Sequence, residues 1–413
     1  MVYREKINMI HQKILSQNKL PAIHLTRDLT KHLKRGHRWI FADCFDQKEK
    51  FHNGLYELYY RGTLLAIGIV QADTQLRFRL LCLSEENYYK KNNPELTLNL
   101  YAETNFNRAC ILRNNFVTNS QNSFRLINGE GDGLPGLIVD VYANTAVIKH
   151  DHPIMEELWD KQAIAKKIVE NFSFINTVYH KRRNDDEVKG ENIIGELTEE
   201  VLFLENGATF ASNIRDAAKT GFFLDQRDNR KLLSQFSKNK SLLNLFSYTG
   251  GFSVFGALGG ANKVVSVDIA KKAIEAANRN FLVNNLKTSH EAMAMDAFEF
   301  IDIAVKEKKK FDIVVTDPPS FAPNQKSLET ATEAYIKVYS DSLKLVSKNG
   351  IFVASSCSSH ISHAAFYDIC RESFAKNRLK ATLVYSGGQP FDHPYPLAME
   401  ELRYLKFAMF RLD

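Results

Sequence analysis

The sequence predicts an α/β chain. A doubly wound parallel sheet fills its C-terminal half, preceded by a small β-barrel-like domain and a central α+β unit. Three observations predict this. Short apolar strands alternate with helical patterns after about Ala217. Short strand-type runs punctuated by glycine and aspartate fill Ile23–Leu83. Between them, strand pairs flank one helical stretch.

The chain has 413 residues, 44 % hydrophobic and 25 % charged, with a formal net charge of +6. That composition is ordinary for globular domains, and the length suggests two or three of them. A mildly basic balance permits a polyanionic partner without requiring one. The five cysteines, Cys44, Cys82, Cys110, Cys357 and Cys370, are widely spaced without a Cys-x-x-Cys pair. A disulfide framework or zinc knuckle is therefore not expected, no metal is assigned, and a reducing compartment is. Charges at Arg4, Glu5, Lys6 and Lys13 interrupt the N-terminus, which does not read as a secretory signal. The uncharged stretch Ser241–Ala261 holds five glycines and reads as strand, turn and helix rather than a membrane span. A cytoplasmic location is the expectation.

The elements follow in order. Residues 1–20 read as an amphipathic lead helix. Gly54–Tyr60, Leu64–Gln71 and Arg77–Cys82 are strands, and Asn105–Phe116 has a helical period. Phe124–Asn128, Leu137–Tyr142 and Ala146–Lys149 are three further strands. The turn Gly129–Gly133 separates the first two, and Ala143-Asn144 makes a tight turn before the third. A helix over 154–171, a strand over 174–180 and a hairpin over 200–212 complete the unit. Strands then fall at Leu242–Phe246, Lys263–Val267, Phe311–Val315 and Gly350–Ala354, with helices at 251–258, 271–285, 296–309 and 328–348. The divisions expected are an extension (1–21), the β domain (22–98), the α+β unit (99–214) and the doubly wound domain (215–413). No internal repeat or low-complexity tract is found.

Ligands of open α/β sheets bind beyond the carboxyl ends of the strands. The first such end reads Asn244-Leu245-Phe246-Ser247-Tyr248-Thr249-Gly250-Gly251-Phe252. Gly250 and Gly251 are expected to remove side chains where backbone approaches a ligand at a helix start. Asp268 closes the second strand, 22 positions after Phe246, and can accept hydrogen bonds from ribose hydroxyls. Asp296 follows the third and is placed to reach the exocyclic amine of an adenine. The ordered set implies a nucleoside cofactor. A dinucleotide is disfavoured because the full Gly-x-Gly-x-x-Gly turn is missing, and there is no P-loop.

The fourth strand ends in Thr316-Asp317-Pro318-Pro319-Ser320-Phe321. Two prolines stop the strand and hold a rigid loop. The Asp317 carboxylate can then hydrogen-bond a flat heterocycle, with Phe321 available to stack. The fifth ends in Ser355-Ser356-Cys357-Ser358-Ser359-His360. Most free cysteines are inert core residues. Cys357 differs in its hydroxylic neighbours and its place at the active edge, where a flipped base would lie, and it is the candidate nucleophile.

These segments, with Lys219–Arg230 (Lys-Thr-Gly-Phe-Phe-Leu-Asp-Gln-Arg-Asp-Asn-Arg), Arg125–Gly136 and the stretch around Gly36–Phe41, resemble the PUA-domain 5-methylcytosine rRNA methyltransferases, the RlmI-like family. The resemblance covers about residues 22–413. It implies a PUA-like RNA-binding domain, a central β-β-α-β-β domain and a Rossmann-like class I methyltransferase domain using S-adenosyl-L-methionine. It also implies rRNA or a ribosomal subunit as partner, with a homodimer as one option and no membrane. In that family the position of Cys357 attacks carbon 6 of cytosine, because carbon 5 of a neutral pyrimidine is a poor nucleophile. Asp317 would hydrogen-bond or protonate ring nitrogen 3. The thiolate is the reactive form, so the local field is expected to favour the anion. The implied cofactor contacts are Phe246, Tyr248, Gly250, Asp268, Asp296, Gln226, Lys219 and Asp317. The implied substrate contacts are Pro318, Phe321, Arg35, Arg38 and Arg230. The stretch Lys219–Arg230 reads either as a packing linker or as a segment setting Lys219, Gln226 and Arg230 near the methionine end of the cofactor or the RNA backbone.

The basic run at residues 27–38 and the cluster His180-Lys181-Arg182-Arg183 are candidate phosphate contacts through counterion release. His393 is a candidate for a substrate loop. Departures are the sparse glycine loop, Asn244 where many class I methyltransferases carry an acid, and Ser320 where other members of the family carry lysine. Two other readings stay open: methylation of a guanine nitrogen, and a non-catalytic RNA-binding assembly factor.

Overall fold

A computed structural model describes residues 8–11, 19–182, 189–321 and 328–413. Most of the expected lead helix, and Arg183, lie outside these residues.

The first sheet holds β1 (Ala22–His24), β2 (Trp39–Phe41), β3 (Gly54–Tyr60), β4 (Thr63–Val70) and β5 (Leu76–Leu83), in the order β1-β3-β4-β5-β2. The short helix α1 (Thr30–Lys34) buries only Leu33 and leaves its lysines outside. Leu33, Ile40, Leu58, Phe78 and Leu80 form the core of this sheet.

Next comes α2 (Pro94–Arg113), eleven residues earlier at its start than the expected Asn105. Asn93 caps it by accepting from Leu96 N, and Pro94 sits in the first turn where its missing N–H costs nothing. The second sheet contains β6 (Ser123–Asn128), β7 (Leu137–Tyr142), β8 (Thr145–His150), β9 (Thr177–Lys181) and β10 (Gly190–Ile194), ordered β10-β9-β8-β7-β6. The helix expected over 154–171 is two helices, α3 (Pro153–Leu158) and α4 (Lys161–Asn171). The break falls at Trp159, which is extended, and Asp160, whose carboxylate accepts from Gln162 N and Ala163 N and so starts a new helix. The hairpin β11 (Val201–Glu205) and β12 (Ala208–Ser212) closes this part.

The helix α5 (Arg227–Ser234) leads into the third sheet, which alternates strictly. The elements are β13 (Ser241–Leu245), α6 (Gly251–Leu258), β14 (Lys263–Asp268), α7 (Lys271–Val283), β15 (Ser289–Ala294), α8 (Ala297–Lys306), β16 (Phe311–Thr316), α9 (Leu328–Leu343), β17 (Val346–Ser356) and α10 (His363–Lys376). The antiparallel pair β18 (Ala381–Gly387) and β19 (Lys406–Leu412) completes them. The order is β15-β14-β13-β16-β17-β19-β18, with the first five strands parallel. The strand order reverses between β13 and β16, which creates a crevice at their carboxyl ends.

Buried ion pairs join the three sheets. Arg79 of β5 donates to Glu130 at 2.7 Å, and Trp39 Nε1 donates to the same carboxylate at 2.7 Å. Asp392 accepts from both guanidinium nitrogens of Arg227 at 2.8 and 3.1 Å, and from the backbone N–H of Arg125 at 3.0 Å. Arg113 donates to the Asp392 carbonyl at 2.8 Å and is forked onto Asp132. Gly131 packs so closely that an added Cβ would sit 1.8 Å from the Pro394 carbonyl oxygen. No helix among the described residues is long and apolar enough to cross a membrane.

Candidate active site

Each parallel strand of the third sheet delivers a polar or aromatic side chain to one cavity of about 490 Å³, within the range of a ligand site. After β13 come Phe246, Ser247, Tyr248 and Thr249; β14 ends at Asp268; Asp296 follows β15; Asp317, Pro318, Pro319 and Phe321 follow β16; and Cys357 follows β17. Lys219, Asp225, Gln226 and Arg230 close it from the segment before α5.

The loop after β13 is held in an uncommon shape. Phe246 and Tyr248 both have left-handed backbones, at φ 57° and 46°, a conformation that surrounding bonds must enforce. Asp268 helps: its Oδ2 accepts from Tyr248 N at 2.8 Å and its Oδ1 from Ala270 N at 2.9 Å. Gly250 also has a positive φ, 76°, but its reason differs from the one expected. It does not line the cavity; its bare Cα faces Ala277 of α7, where a Cβ would approach to 2.9 Å. Gly251 does line it, and its missing side chain makes room for Arg230.

One half of the cavity fits a nucleoside. Asp268 carries lone pairs beyond those its two backbone donors use. Ile269, 73 % exposed, and Phe298 offer apolar cover at the same cavity as Asp296. Asp296 spends one oxygen on capping α8, accepting from Phe298 N at 2.9 Å and Glu299 N at 3.2 Å, and keeps the other. The hydroxyls of Ser247 and Thr249 are buried without a partner; such groups call for a ligand or water.

The other half is built for chemistry. Gln226 Nε2 donates to Asp317 at 3.0 Å and to Ser355 Oγ at 2.8 Å, and Asn229 holds the Gln226 carbonyl at 2.7 Å. Burial, and the charge of Asp225, push the Asp317 carboxyl up to about 6. Asp225 is held below its ordinary range by Lys219, His393 and the Tyr404 hydroxyl, which donates to its Oδ2 at 2.7 Å; these outweigh its burial. Burial and Asp317 push the Cys357 thiol up to about 11, against a smaller opposing pull from Lys219 and Lys406. The field therefore keeps Cys357 a neutral thiol, contrary to the anion-favouring field expected. Lys406 is itself buried and lowered to about 8 by desolvation, and it donates to the carbonyls of Ser358 and Tyr404.

A profile for S-adenosylmethionine-dependent methyltransferases matches residues 162–380, more than half of the chain, and a PUA-like domain profile matches residues 23–83. The chain belongs to the S-adenosylmethionine-dependent methyltransferase family. A ribosomal RNA large subunit methyltransferase of Deinococcus radiodurans is 31 % identical over 92 % of this chain and 95 % of its own length. Ribosomal RNA large subunit methyltransferase I of Vibrio campbellii is 29 % identical over 93 % and 98 %. Among solved structures, a methyltransferase complexed with SAH superposes with a TM-score of 0.82 at 25 % identity, covering 95 % of this chain and all of that one. S-adenosylmethionine is thus the cofactor of this methyltransferase.

The cavity brings together Cys357, Asp317, Phe246, Tyr248, Asp268, Asp296, Gln226, Lys219, Pro318 and Phe321. Arg230 lines the cavity too, with its side chain 3 % exposed and its guanidinium forked onto Glu205 at 2.7 and 2.6 Å. Other expected contacts fall elsewhere. Arg38 donates to the Leu81 carbonyl at 3.2 Å and pairs with Glu86 at 3.4 Å, so its charge is largely spent; Arg35 is exposed. The cluster at 180–182 is not an open basic face either. Lys181 is buried and donates to the carbonyls of Ile214 and Ala217, and His180 is buried against His150 at 3.2 Å. Among the described residues His150, Glu156 and His180 approach metal-ligand spacing. The ammonium of Lys161 already serves the carboxylates there, 2.6 Å from Glu191 and 3.6 Å from Glu156. His393 is buried against Asp392 at 3.0 Å.

Sequence reasoning passed over Asp225, Ser355, Tyr404 and Lys406. Asp225 lies inside a segment singled out only for its neighbours. Lys406 opens β19 and Tyr404 lies just before it, and the pairing of β19 beside β17 leaves no local pattern.

Proposed function

We propose that the protein methylates carbon 5 of a cytosine in large-subunit ribosomal RNA, with Cys357 as covalent nucleophile. The observation that carries this reading is the shared cavity: the thiol of Cys357 and the raised carboxyl of Asp317 face the same space as the nucleoside-binding residues Asp268 and Asp296. The relatives named as large-subunit ribosomal RNA methyltransferases support the RNA class.

Bound S-adenosylmethionine supplies the electrophilic methyl group. The protein's own residues supply the rest. Asp317 relays the thiol proton to ring nitrogen 3 of the target as the sulfur bonds carbon 6. While Asp317 holds that proton its charge no longer opposes the thiolate, and passing the proton on to nitrogen 3 leaves sulfur bonded to carbon 6. Phe321, in edge contact with Tyr335 at 4.9 Å, and the two prolines wall the base. Exposed Lys31 and Arg35 on the PUA-like domain contribute salt-sensitive phosphate attraction. We divide the chain at residues 22–98, 99–214 and 215–413, with residues 1–21 as an extension, and assign the reaction to the cytoplasm.

The test is Cys357→Ala. Nucleosides from large-subunit RNA of cells carrying the variant are expected to lack the 5-methylcytosine that wild type restores, while SAH binding by calorimetry is retained. Normal 5-methylcytosine in that variant, or methylated guanine as the wild-type product, refutes the reading.

A further inference from the structure

We propose that Asp225 is the general base that removes the carbon 5 proton once the methyl group has been transferred. This inference rests on the covalent reading above and names the residue that completes it. Asp225 lies in the single turn Leu224–Gln226 that leads into α5, is 6 % exposed, and lines the same cavity as Cys357 and Asp317. Its two oxygens are not equivalent. Oδ2 accepts from the Tyr404 hydroxyl at 2.7 Å, which fixes the plane of the carboxylate. Oδ1 is buried and has no hydrogen-bond partner. A buried carboxylate oxygen left unpaired is costly, and at a cavity wall it marks a group waiting for a proton donor.

The two cavity carboxylates are driven in opposite directions. Asp317 is raised, in part by the charge of Asp225, whereas Asp225 is lowered by Lys219 and His393. Such a divergence separates an acid from a base at one site. Asp317 carries the proton that ring nitrogen 3 needs; Asp225 stays ionised and free to accept one. The competing groups are committed. Asp317 is engaged by Gln226, and Lys406 donates to the carbonyls of Ser358 and Tyr404. Lys219 holds its ammonium 5.2 Å above the Phe223 ring.

The step balances. Asp225 Oδ1 takes the proton from carbon 5, and the released C–H pair becomes the carbon 5–carbon 6 double bond. The bond from carbon 6 to Cys357 Sγ breaks with its pair on sulfur. Nitrogen 3 returns its proton through Asp317 to the thiolate, and Asp225 loses its proton to solvent.

The decisive variant is Asp225→Asn, which preserves shape and the contact with Tyr404. It is assayed as full-length protein with labelled S-adenosylmethionine, on large subunits and on ribosomal RNA, both purified from cells lacking the gene. The expected result is a methylated protein–RNA complex, linked through Cys357, that survives denaturing electrophoresis. Multiple turnover is expected to fall at least about 100-fold, with KM held within about threefold. Turnover within threefold of wild type, or lost turnover without the trapped complex, overturns the assignment. Tyr404→Phe provides an independent readout: losing its donor raises the Asp225 pKa, so the acid limb of the kcat profile moves to higher pH. An unmoved limb also overturns it. Cys357→Ala separates the two failures. If it turns over, the covalent reading falls; if it is inactive and Asp225→Asn traps nothing, only the assignment of the base falls.

Discussion

Arg230 tests the boundary between a structural and an RNA-contacting role most sharply. Its guanidinium makes two hydrogen bonds to Glu205 of β11 and one to the Phe223 carbonyl at 2.9 Å, and it lies 4.7 Å over the Phe222 ring. Glu205 is 0 % exposed. Arg230→Ala therefore strands a carboxylate where water cannot reach it, at a cost of about 3–5 kcal/mol. For a domain of this size, roughly 2–4 °C per kcal/mol, thermal unfolding should come about 10 °C earlier. The double variant Arg230→Met with Glu205→Leu removes both charges and should recover most of that loss. The assay is thermal unfolding followed by circular dichroism, paired with RNA affinity measured across a salt series. Deleting a cation that neutralises a phosphate would lower the slope of log affinity against log salt by about 0.7–0.9; deleting a structural residue leaves it unchanged. An unfolding temperature within about 2 °C of wild type, together with a lowered salt slope, would refute the assignment of Arg230 to the wall.

Two further outcomes follow from the structure. Gly131→Ala drives a methyl group into the Pro394 carbonyl and should cost about 1–3 kcal/mol; denaturant unfolding with an unchanged midpoint would show that this loop yields freely. Asp317, with its folded pKa raised to about 6 from 3.8, contributes stability that is full below about pH 4 and lost as the pH rises through 6. The unfolding temperature of wild type relative to Asp317→Asn should thus be most favourable near pH 4 and decline by pH 7, and a flat difference over that range contradicts the shift.

Much of the catalytic half was legible because a parallel sheet writes itself locally. Val264, Val265 and Val267 of β14 and Ile313–Val315 of β16 are all buried, and the two runs lead into Asp268 and Asp317 at the cavity. What misled the sequence reading was charge whose partner lies far along the chain. Arg230 meets Glu205, and Lys181 meets the carbonyls of Ile214 and Ala217; neither pairing has a signature in the local run, so both residues look like surface. Gly250 was correctly singled out but for the wrong neighbour, since a glycine makes room equally for a ligand or for Ala277. The break between α3 and α4 was readable at Asp160, a good capping residue that apolar periodicity alone overlooks. The thiol field was missed because burial, which one-dimensional neighbours do not report, outweighs the nearby lysines.

The shared carboxylates Glu130 and Asp392 have a consequence for how a target is chosen. Each accepts hydrogen bonds from more than one part of the chain: Arg79 and Trp39 meet on the first, Arg227 and the Arg125 amide on the second. Sliding or swivelling one layer against the next would strand these anions in a dry interior. These contacts tie the PUA-like module to the central unit and the central unit to the segment before the third sheet. Under the proposed function, a nucleotide is selected by whether the folded RNA around it reaches from that module to the catalytic mouth, and an otherwise identical cytosine in a strand of the wrong curvature is passed over.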